Sequence, residues 1–104
     1  MLVTTSQRPS IATRGAAFRA AKEIHAEFIA RGKRSLLSII SRGNREGHGA
    51  LLLFTERKGI PFSVKAIELR GNGWHYVLET ELGSAFKPKE FAKGIGELLE
   101  EKKL

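Results

Sequence analysis

Apolar and polar residues follow one another along the chain in a pattern that predicts a series of short strands and helices. Leu2-Val3-Thr4-Thr5 is partly β-branched, which is typical of a strand, and it ends at the turn-prone residues 6–10. Ser10 can cap a helix that runs to about His25, because apolar residues then recur at three- and four-residue spacing. The apolar stripe expected to face the core is Ile11, Ala17, Phe18, Ala21, Ile24 and Phe28.

The middle of the chain predicts a strand, a basic loop, a second helix and a buried strand. Glu27-Phe28-Ile29-Ala30 indicates the strand, and Arg31-Gly32-Lys33-Arg34 forms the loop. Ser35 can cap the second helix, which loses its pattern in the glycine-rich stretch from Gly43 to Gly49. Ala50 to Phe54 is a continuous apolar run, as expected of a central strand covered on both faces.

The last third of the chain predicts a hairpin and a closing helix. Phe62 to Leu69 and Trp74 to Leu82 flank Gly71-Asn72-Gly73, which favours a tight turn between two antiparallel strands. Strict alternation places Trp74, Tyr76 and Leu78 on one face of the second strand. A helix begins near Pro88. Its expected core residues are Phe91, Ile95, Leu98 and Leu99, while Gly94 and Gly96 weaken it unless another backbone packs close by.

This order of elements predicts an α/β fold: a single domain over residues 1–104, with a mixed sheet of about five strands and helices on both faces. Helices between the early strands imply parallel neighbours, and the hairpin implies an antiparallel edge. A length of 104 residues suits one small domain, and 41% hydrophobic with 28% charged residues is an ordinary globular composition.

The N-terminal residues and the apolar runs predict where in the cell the protein is located. Met1-Leu2-Val3 meets polar Thr4-Thr5-Ser6 before an apolar region can form, so we expect no signal peptide and a cytoplasmic protein. The apolar run Ala50 to Phe54 is far shorter than the ~18 residues that cross a bilayer, so no membrane partner is expected.

The charge of the chain is strongly one-sided. The sequence holds 18 Lys and Arg against 11 acidic residues, a net charge of +7. Eleven of these basic residues and four of the acidic ones lie in residues 1–58, so the whole surplus belongs to that half. We interpret this asymmetry as a binding face for a polyanion rather than as a merely solubilising surface.

Several residue types that catalysis depends on are missing. The sequence has no Cys and all its acidic residues are Glu, which excludes thiolate zinc sites, disulfides, a Cys nucleophile and Asp-based magnesium sites. His25, His48 and His75 lie in three different elements without ligand spacing, so we expect neither a metal nor a cofactor. The sequence therefore predicts a protein that is not an enzyme, with a small hydrolase or phosphate-handling enzyme as a disfavoured alternative.

Two basic turns carry the candidate binding chemistry. Each follows a strand and precedes a helix, so both are expected at the carboxyl edge of the sheet, where open α/β folds bind ligands. Ser10 and Ser35 cap the two helices, whose N-terminal amides can also contact a phosphate. Gly32-Lys33-Arg34-Ser35 superficially resembles the end of a P-loop, but Glu27 stands where that motif needs a glycine. The predicted phosphate-binding residues are Arg8, Arg14, Arg31, Lys33 and Arg34, with a second ring of Arg19, Lys22, Arg42, Arg45, Arg57 and Lys58.

Four aromatic residues leave two alternatives open. Trp74, Tyr76, Phe54 and Phe62 could stack on unpaired bases if they faced solvent, with Trp74 the best candidate. Strand aromatics that alternate with polar residues more often point into the core.

Three segments resemble, in order and spacing, the first half of the Brix domain. They are Val3 to Ser10 with Thr13-Arg14, Arg31-Gly32-Lys33-Arg34-Ser35-Leu36, and Glu56-Arg57-Lys58-Gly59-Ile60-Pro61, and the match spans about residues 2 to 82. The resemblance implies an archaeal ribosome biogenesis factor that binds ribosomal RNA, with a fold similar to the anticodon-binding domain of class II aminoacyl-tRNA synthetases. A usual Brix domain has two related α/β halves, and this chain looks like one half with a closing helix.

Residues and resemblance together predict a non-enzymatic RNA-binding protein of ribosome assembly and ribosomal RNA processing that grips RNA through its phosphates. Its partners would be RNA and ribosomal or assembly-factor proteins. The alternative is a protein-interaction subunit of a ribonucleoprotein or tRNA-processing complex, whose basic half docks on an acidic partner. A further hypothesis is a homodimer that imitates the two halves of the longer domain.

Overall fold

The computed structural model describes residues 1–70, 73–83 and 86–103, and it has the predicted order of elements. The strands are β1 (Leu2–Thr5), β2 (Glu27–Phe28), β3 (Ala50–Arg57), β4 (Ile60–Arg70) and β5 (Gly73–Glu81). The helices are α1 (Ile11–Glu23), α2 (Leu36–Arg45) and α3 (Pro88–Lys103). Of the predicted hairpin turn, Gly71 and Asn72 lie outside the described residues.

The five strands form one mixed sheet in the order β2-β1-β3-β4-β5. β1 is parallel to both β2 and β3, because α1 and α2 return the chain to the same end of the sheet. β3, β4 and β5 pair antiparallel, and Lys58 and Gly59, both with positive φ (53° and 76°), turn β3 into β4. The carboxyl ends of β1, β2 and β3 therefore share one edge of the sheet, as the sequence predicted.

Helices cover both faces of this sheet, which confirms the predicted α/β architecture. On one face, Ala17, Ala20 and Ala21 of α1 and Ile95 of α3 pack against Val3, Leu52, Phe54, Val64 and Ala66. On the other face, Ile39 and Ile40 of α2 pack against Leu2, Leu51, Ile67 and Leu69. β3 lies between these two layers, and its residues 50–54 are buried, as expected for a central strand.

Large apolar residues of the helices do not all lie in the core. Ile11 is 91% exposed, Phe18 47% and Leu37 64%, so the predicted core stripe of α1 is wrong at Ile11 and Phe18. The helix instead lies against the sheet through alanines and Thr13, whose small side chains bring the two backbones close. The larger residues of α1 consequently point away from the sheet.

A bulge in the outer hairpin changes the face of β5. Ala66 pairs with Leu78 but Ile67 pairs with Tyr76, so the register shifts by one residue between them. The prediction that Trp74, Tyr76 and Leu78 share a face is therefore wrong, because an extra residue reverses the alternation. Leu78 packs against the core on the α1 side, while Trp74 and Tyr76 are 44% and 52% exposed.

Among the described residues, no helix combines the length and the apolarity that crossing a bilayer requires.

Candidate nucleic-acid interface

The two basic turns lie side by side at the carboxyl edge of the sheet. Backbone hydrogen bonds fix both: the Ser6 N–H donates to the Phe54 carbonyl, and the Ile29 N–H donates to the Val3 carbonyl, each at 2.9 Å. Both predicted N-caps are present, since the Ser10 and Ser35 hydroxyls accept hydrogen bonds from the backbone N–H groups of Thr13 and Ser38. The strand ends and caps thus hold the loops after β1 and β2 next to each other.

Between these loops runs a groove of about 430 Å³, which we call the basic groove. Its lining residues are Thr5, Gln7, Arg8, Pro9, Arg14, Phe28, Ala30, Arg31, Gly32 and Lys33. Four of the five predicted phosphate-binding residues, Arg8, Arg14, Arg31 and Lys33, therefore line one groove, although they come from two separate turns of the chain. None of these described lining residues is acidic, so the groove favours an anionic ligand.

Arg31 forms the floor of the basic groove. Its side chain is only 8% exposed, and it donates from Nη1 to the Thr5 carbonyl and from Nε to the Arg34 carbonyl, both at 2.8 Å. Burial lowers the pKa of the Arg31 guanidinium from its ordinary value. Among the ion pairs of the described residues none involves Arg31, so no carboxylate balances its charge beside the groove.

The rim of the basic groove is formed by cations that are more accessible. Arg8 is exposed and adopts a positive φ of 51°, an unusual conformation for a long side chain that is typical of functional turns. Lys33 is exposed as well, and so is Arg14 at the first turn of α1. Arg34 lies behind the rim, where its Nη1 donates to the Ala30 carbonyl at 2.7 Å.

A carboxylate of the same chain, that of Glu56, lies at the N-terminus of α1. Oε1 of Glu56 accepts a hydrogen bond from the backbone N–H of Ser10 at 2.8 Å. This bond, assisted by the Thr13 hydroxyl, lowers the pKa of the Glu56 carboxyl. Local sequence patterns do not predict this contact, because Glu56 is 46 residues away from Ser10. A phosphate at this edge would therefore be held by the cations of the groove and not by the amide of Ser10.

The β3–β4 turn brings two further cations to the same edge. The guanidinium carbon of Arg57 lies 3.8 Å from the centre of the Phe62 ring, a cation–π contact that fixes this side chain. Lys58 is exposed at the tip of the turn. The structure thus extends the basic edge beyond the groove itself.

The other residues of the predicted second ring are distributed around the molecule. Arg19 lines a separate cavity between α1 and the start of α3, together with Phe86 and Pro88. Arg42 is ion-paired with both Glu27 and Glu46, while Arg45 lies beside Arg34 in a shallow depression along α2. Lys22 holds its Nζ 5.7 Å above the ring of Phe18.

The aromatic candidates divide between core and surface. Phe54 is buried and Phe62 is covered by Arg57, whereas Trp74 and Tyr76 are exposed. Trp74 and Tyr76 lie on β5, which is the outermost strand on the side of the sheet away from β1, β2 and the basic groove. Phe28 lines the groove, and it forms an edge-to-face pair with Phe18 with ring centres 5.6 Å apart.

His48 lies close to the carboxylates of Glu27 and Glu46, which are possible metal ligands that its position in the sequence did not indicate. Nε2 of His48 is 3.6 Å from a carboxylate oxygen of Glu27 and 3.6 Å from one of Glu46. The ligand atoms of these three residues lie within 4.8 Å of one another. Arg42 pairs with the other oxygen of each carboxylate, so their charge is already partly balanced within the chain.

Comparison with known proteins gives this architecture a context. No protein-family model matches the sequence. The chain is 30% identical over 95 residues to a probable Brix domain-containing ribosomal biogenesis protein of Methanothermobacter thermautotrophicus, an alignment that covers 91% of this chain and 59% of the relative.

Two solved structures share the fold. Mil, an archaeal Imp4-like protein, is 32% identical with a TM-score of 0.61, over 73% of this chain and 46% of Mil. A probable ribosomal biogenesis protein from Aeropyrum pernix K1 is 22% identical with a TM-score of 0.68, over 80% of this chain and 47% of that protein, and this likeness concerns the fold alone. The chain spans about half the length of the relatives it matches.

Proposed function

The chain is a relative of the Brix domain-containing ribosomal biogenesis proteins that matches part of their length, and we propose that it acts in ribosome biogenesis by binding ribosomal RNA through its phosphate backbone. The observation that carries this proposal is the convergence of Arg8, Arg14 and Lys33 on one groove that contains no acidic lining residue among those described. Arg31 supports the arrangement from below, and Lys58 continues it along the sheet edge.

The distribution of these cations over three turns of one sheet edge favours a phosphodiester chain over a single small anion. The groove draws on two turns, and the β3–β4 turn adds Arg57 and Lys58 at the same edge. A strand of nucleic acid presents a row of phosphates that can follow such an edge, and these contacts carry little sequence information. We therefore expect affinity for many RNAs, with specificity arising elsewhere.

The role that we propose is binding without catalysis. The described residues that line the groove include neither a histidine nor a carboxylate that could act as a general base. Guanidinium, ammonium and hydroxyl groups are suited to holding phosphate in place.

Salt titration of RNA binding tests the proposal. Fluorescence anisotropy with a labelled single-stranded RNA should give a log affinity that falls linearly with log salt, with a slope of about −0.7 for each phosphate contacted. In a variant with Arg8→Ala, Arg14→Ala and Lys33→Ala, the affinity should fall for all RNAs, and the slope should become shallower by about 2.

A matched control removes the same charge elsewhere. Lys87, Lys89 and Lys93 are exposed residues of the α3 region, and none of them lines the groove. Replacing all three with Ala should leave the salt slope unchanged. A flat salt response of the wild-type protein, or equal slopes for the two triple variants, would overturn the proposal.

Pull-down from cells separates RNA binding from the alternative of an acidic protein partner. After nuclease treatment, partners held through RNA should disappear from the captured material. A partner that persists and depends on Arg8 and Lys33 would favour the protein-interaction alternative.

A further inference from the structure

An apolar groove lies directly beside the basic groove. It has a volume of about 580 Å³ and is lined by Ile11, Arg14, Gly15, Phe18, Phe28 and Ala30. Arg14, Phe28 and Ala30 line both grooves, so the two form one continuous surface. A ligand in the basic groove therefore lies next to the apolar one.

The apolar groove exists because α1 has two different faces. Thr13, Ala17, Ala20 and Ala21 bury one face against the sheet. Ile11, Gly15, Phe18 and Lys22 follow the opposite face at spacings of three and four residues. Gly15 adds no side chain between Ile11 and Phe18, and Nη1 of Arg19 lies 3.1 Å from the position that a Cβ would take there. Phe28, at the end of β2, also lines the groove.

Two cations lie next to aromatic or apolar residues of this groove. Arg14 stands where the two grooves meet, and Lys22 holds its ammonium group over the Phe18 ring. A ligand suited to this surface has a flat apolar part next to a negative charge. An unpaired nucleotide has this composition, with a base that can stack on an aromatic ring and a phosphate on the adjoining backbone.

Resting on the function proposed above, we propose that the apolar groove binds an unpaired base of the same RNA strand whose phosphate lies in the basic groove, so that the protein selects single-stranded RNA. A duplex cannot use this site, since its bases are stacked on each other and only their edges are accessible. The volume of the groove is within the range of ~300–1,000 Å³ that is usual for small-ligand pockets. The chemistry of this surface therefore favours single-stranded RNA over duplex RNA, without a preference for a particular base sequence.

Substitution of Phe18 tests the assignment. Phe18→Ala should weaken binding of a single-stranded RNA by about 5- to 150-fold, the usual effect of losing one base-stacking platform. Binding to a fully paired RNA hairpin stem should be unchanged, and the salt slope should stay at the wild-type value because no phosphate contact is lost. Tyr76→Ala is the matched control, since Tyr76 is also an exposed aromatic residue but lies on β5.

Phe18→Leu separates stacking from packing. Leucine retains an apolar side chain beside Phe28 but lacks a ring face, so this variant should fold normally and still lose most of the preference for single-stranded RNA. A 2-aminopurine base in the single strand should be quenched by the wild-type protein and not by Phe18→Leu.

Distinct results would overturn the inference without touching the proposed function. If Phe18→Leu binds single strands and duplexes as the wild type does while the salt slope remains steep, the RNA binds by phosphate alone. If instead Phe18→Leu converts a dimer to a monomer in sedimentation and RNA affinity is unchanged, the apolar groove is occupied by a second copy of the chain. A flat salt response of the wild-type protein would count against the proposed function itself.

Discussion

Nη1 of Arg31 donates a hydrogen bond to the backbone carbonyl of Thr5 at 2.8 Å, which ties the loop after β2 to the end of β1. Its Nε donates to the Arg34 carbonyl at the same distance, so one side chain fixes both loops. The guanidinium keeps its charge under the groove while its donors hold the groove's walls together. Arg31 is thus a positioning residue for the candidate site.

Removal of this guanidinium should destabilise the fold. Arg31→Ala leaves the Thr5 and Arg34 carbonyls without their donor, and we expect a loss of about 1–3 kcal/mol in the free energy of unfolding, measured by urea denaturation. Arg31→Lys should recover little of it, because an ammonium group cannot reproduce the planar fork that reaches two carbonyls. Lys33→Ala is the control, since Lys33 lines the same groove but is exposed. Equal stability of the Arg31→Ala and Lys33→Ala variants would contradict the positioning role.

The contact between Glu56 and Ser10 predicts a dependence of stability on pH. Because the folded state lowers the pKa of the Glu56 carboxyl, the ionised form favours folding. Its contribution is fully present above the ordinary Glu pKa of about 4.3 and is lost as the pH falls through the lower pKa of the folded state. The wild type should therefore be more stable than Glu56→Gln at pH 7, and the difference should shrink below about pH 4. Thermal unfolding of both proteins from pH 7 to pH 2.5 measures this, and a difference that stays constant over the range would contradict it.

The packing of α2 on the sheet predicts opposite effects for two helical glycines. A Cβ on Gly43 would lie 2.6 Å from Cδ1 of Leu69 and 3.0 Å from Cδ1 of Leu2, both of which are buried. Gly43→Ala should therefore destabilise the protein by about 1–3 kcal/mol, since overpacking outweighs the gain in helix propensity. Gly94 of α3 has no atom within 4 Å of such a Cβ. Gly94→Ala should stabilise by about 0.5–1 kcal/mol, and chemical denaturation of the two variants should shift in opposite directions.

The fold could be predicted from sequence because its local patterns agree with one another. Residues 50–54 of β3 are apolar, and the structure buries them between its two layers of helices. Ser10 and Ser35 begin the two early helices at the predicted positions. The faces of α1 and β5 could not be assigned in the same way. Periodicity shows which residues of α1 are apolar, but the close approach through Ala17, Ala20 and Ala21 is a property of the packed sheet. The bulge in β5 likewise could not be predicted, because a strict alternation of faces along a strand contains no extra residue.

In the candidate site, too, local sequence patterns predict some features, while others depend on contacts between residues far apart in the sequence. The two basic turns could be placed at one edge of the sheet because each follows a strand and precedes a helix. Their detailed roles depend on contacts across the fold: Arg31 bonds to Thr5 over 26 residues and Glu56 reaches Ser10 over 46. Phe18 was expected in the core, so the apolar groove beside the basic one became visible only in three dimensions.

The β3–β4 turn predicts a trade between stability and RNA affinity. Lys58 and Gly59 have φ values of 53° and 76°, as in a type I′ turn, whose first position favours Asn. Lysine at a positive φ costs about 1 kcal/mol, which Lys58→Asn should largely recover in urea denaturation. The same substitution removes a cation from the basic edge, so RNA binding should weaken and the salt slope should become shallower by about 0.7. Lys58→Arg retains the charge in the strained conformation and should leave both measurements near the wild type. If Lys58→Asn gains stability with no change in RNA binding, the turn lies outside the surface that contacts RNA.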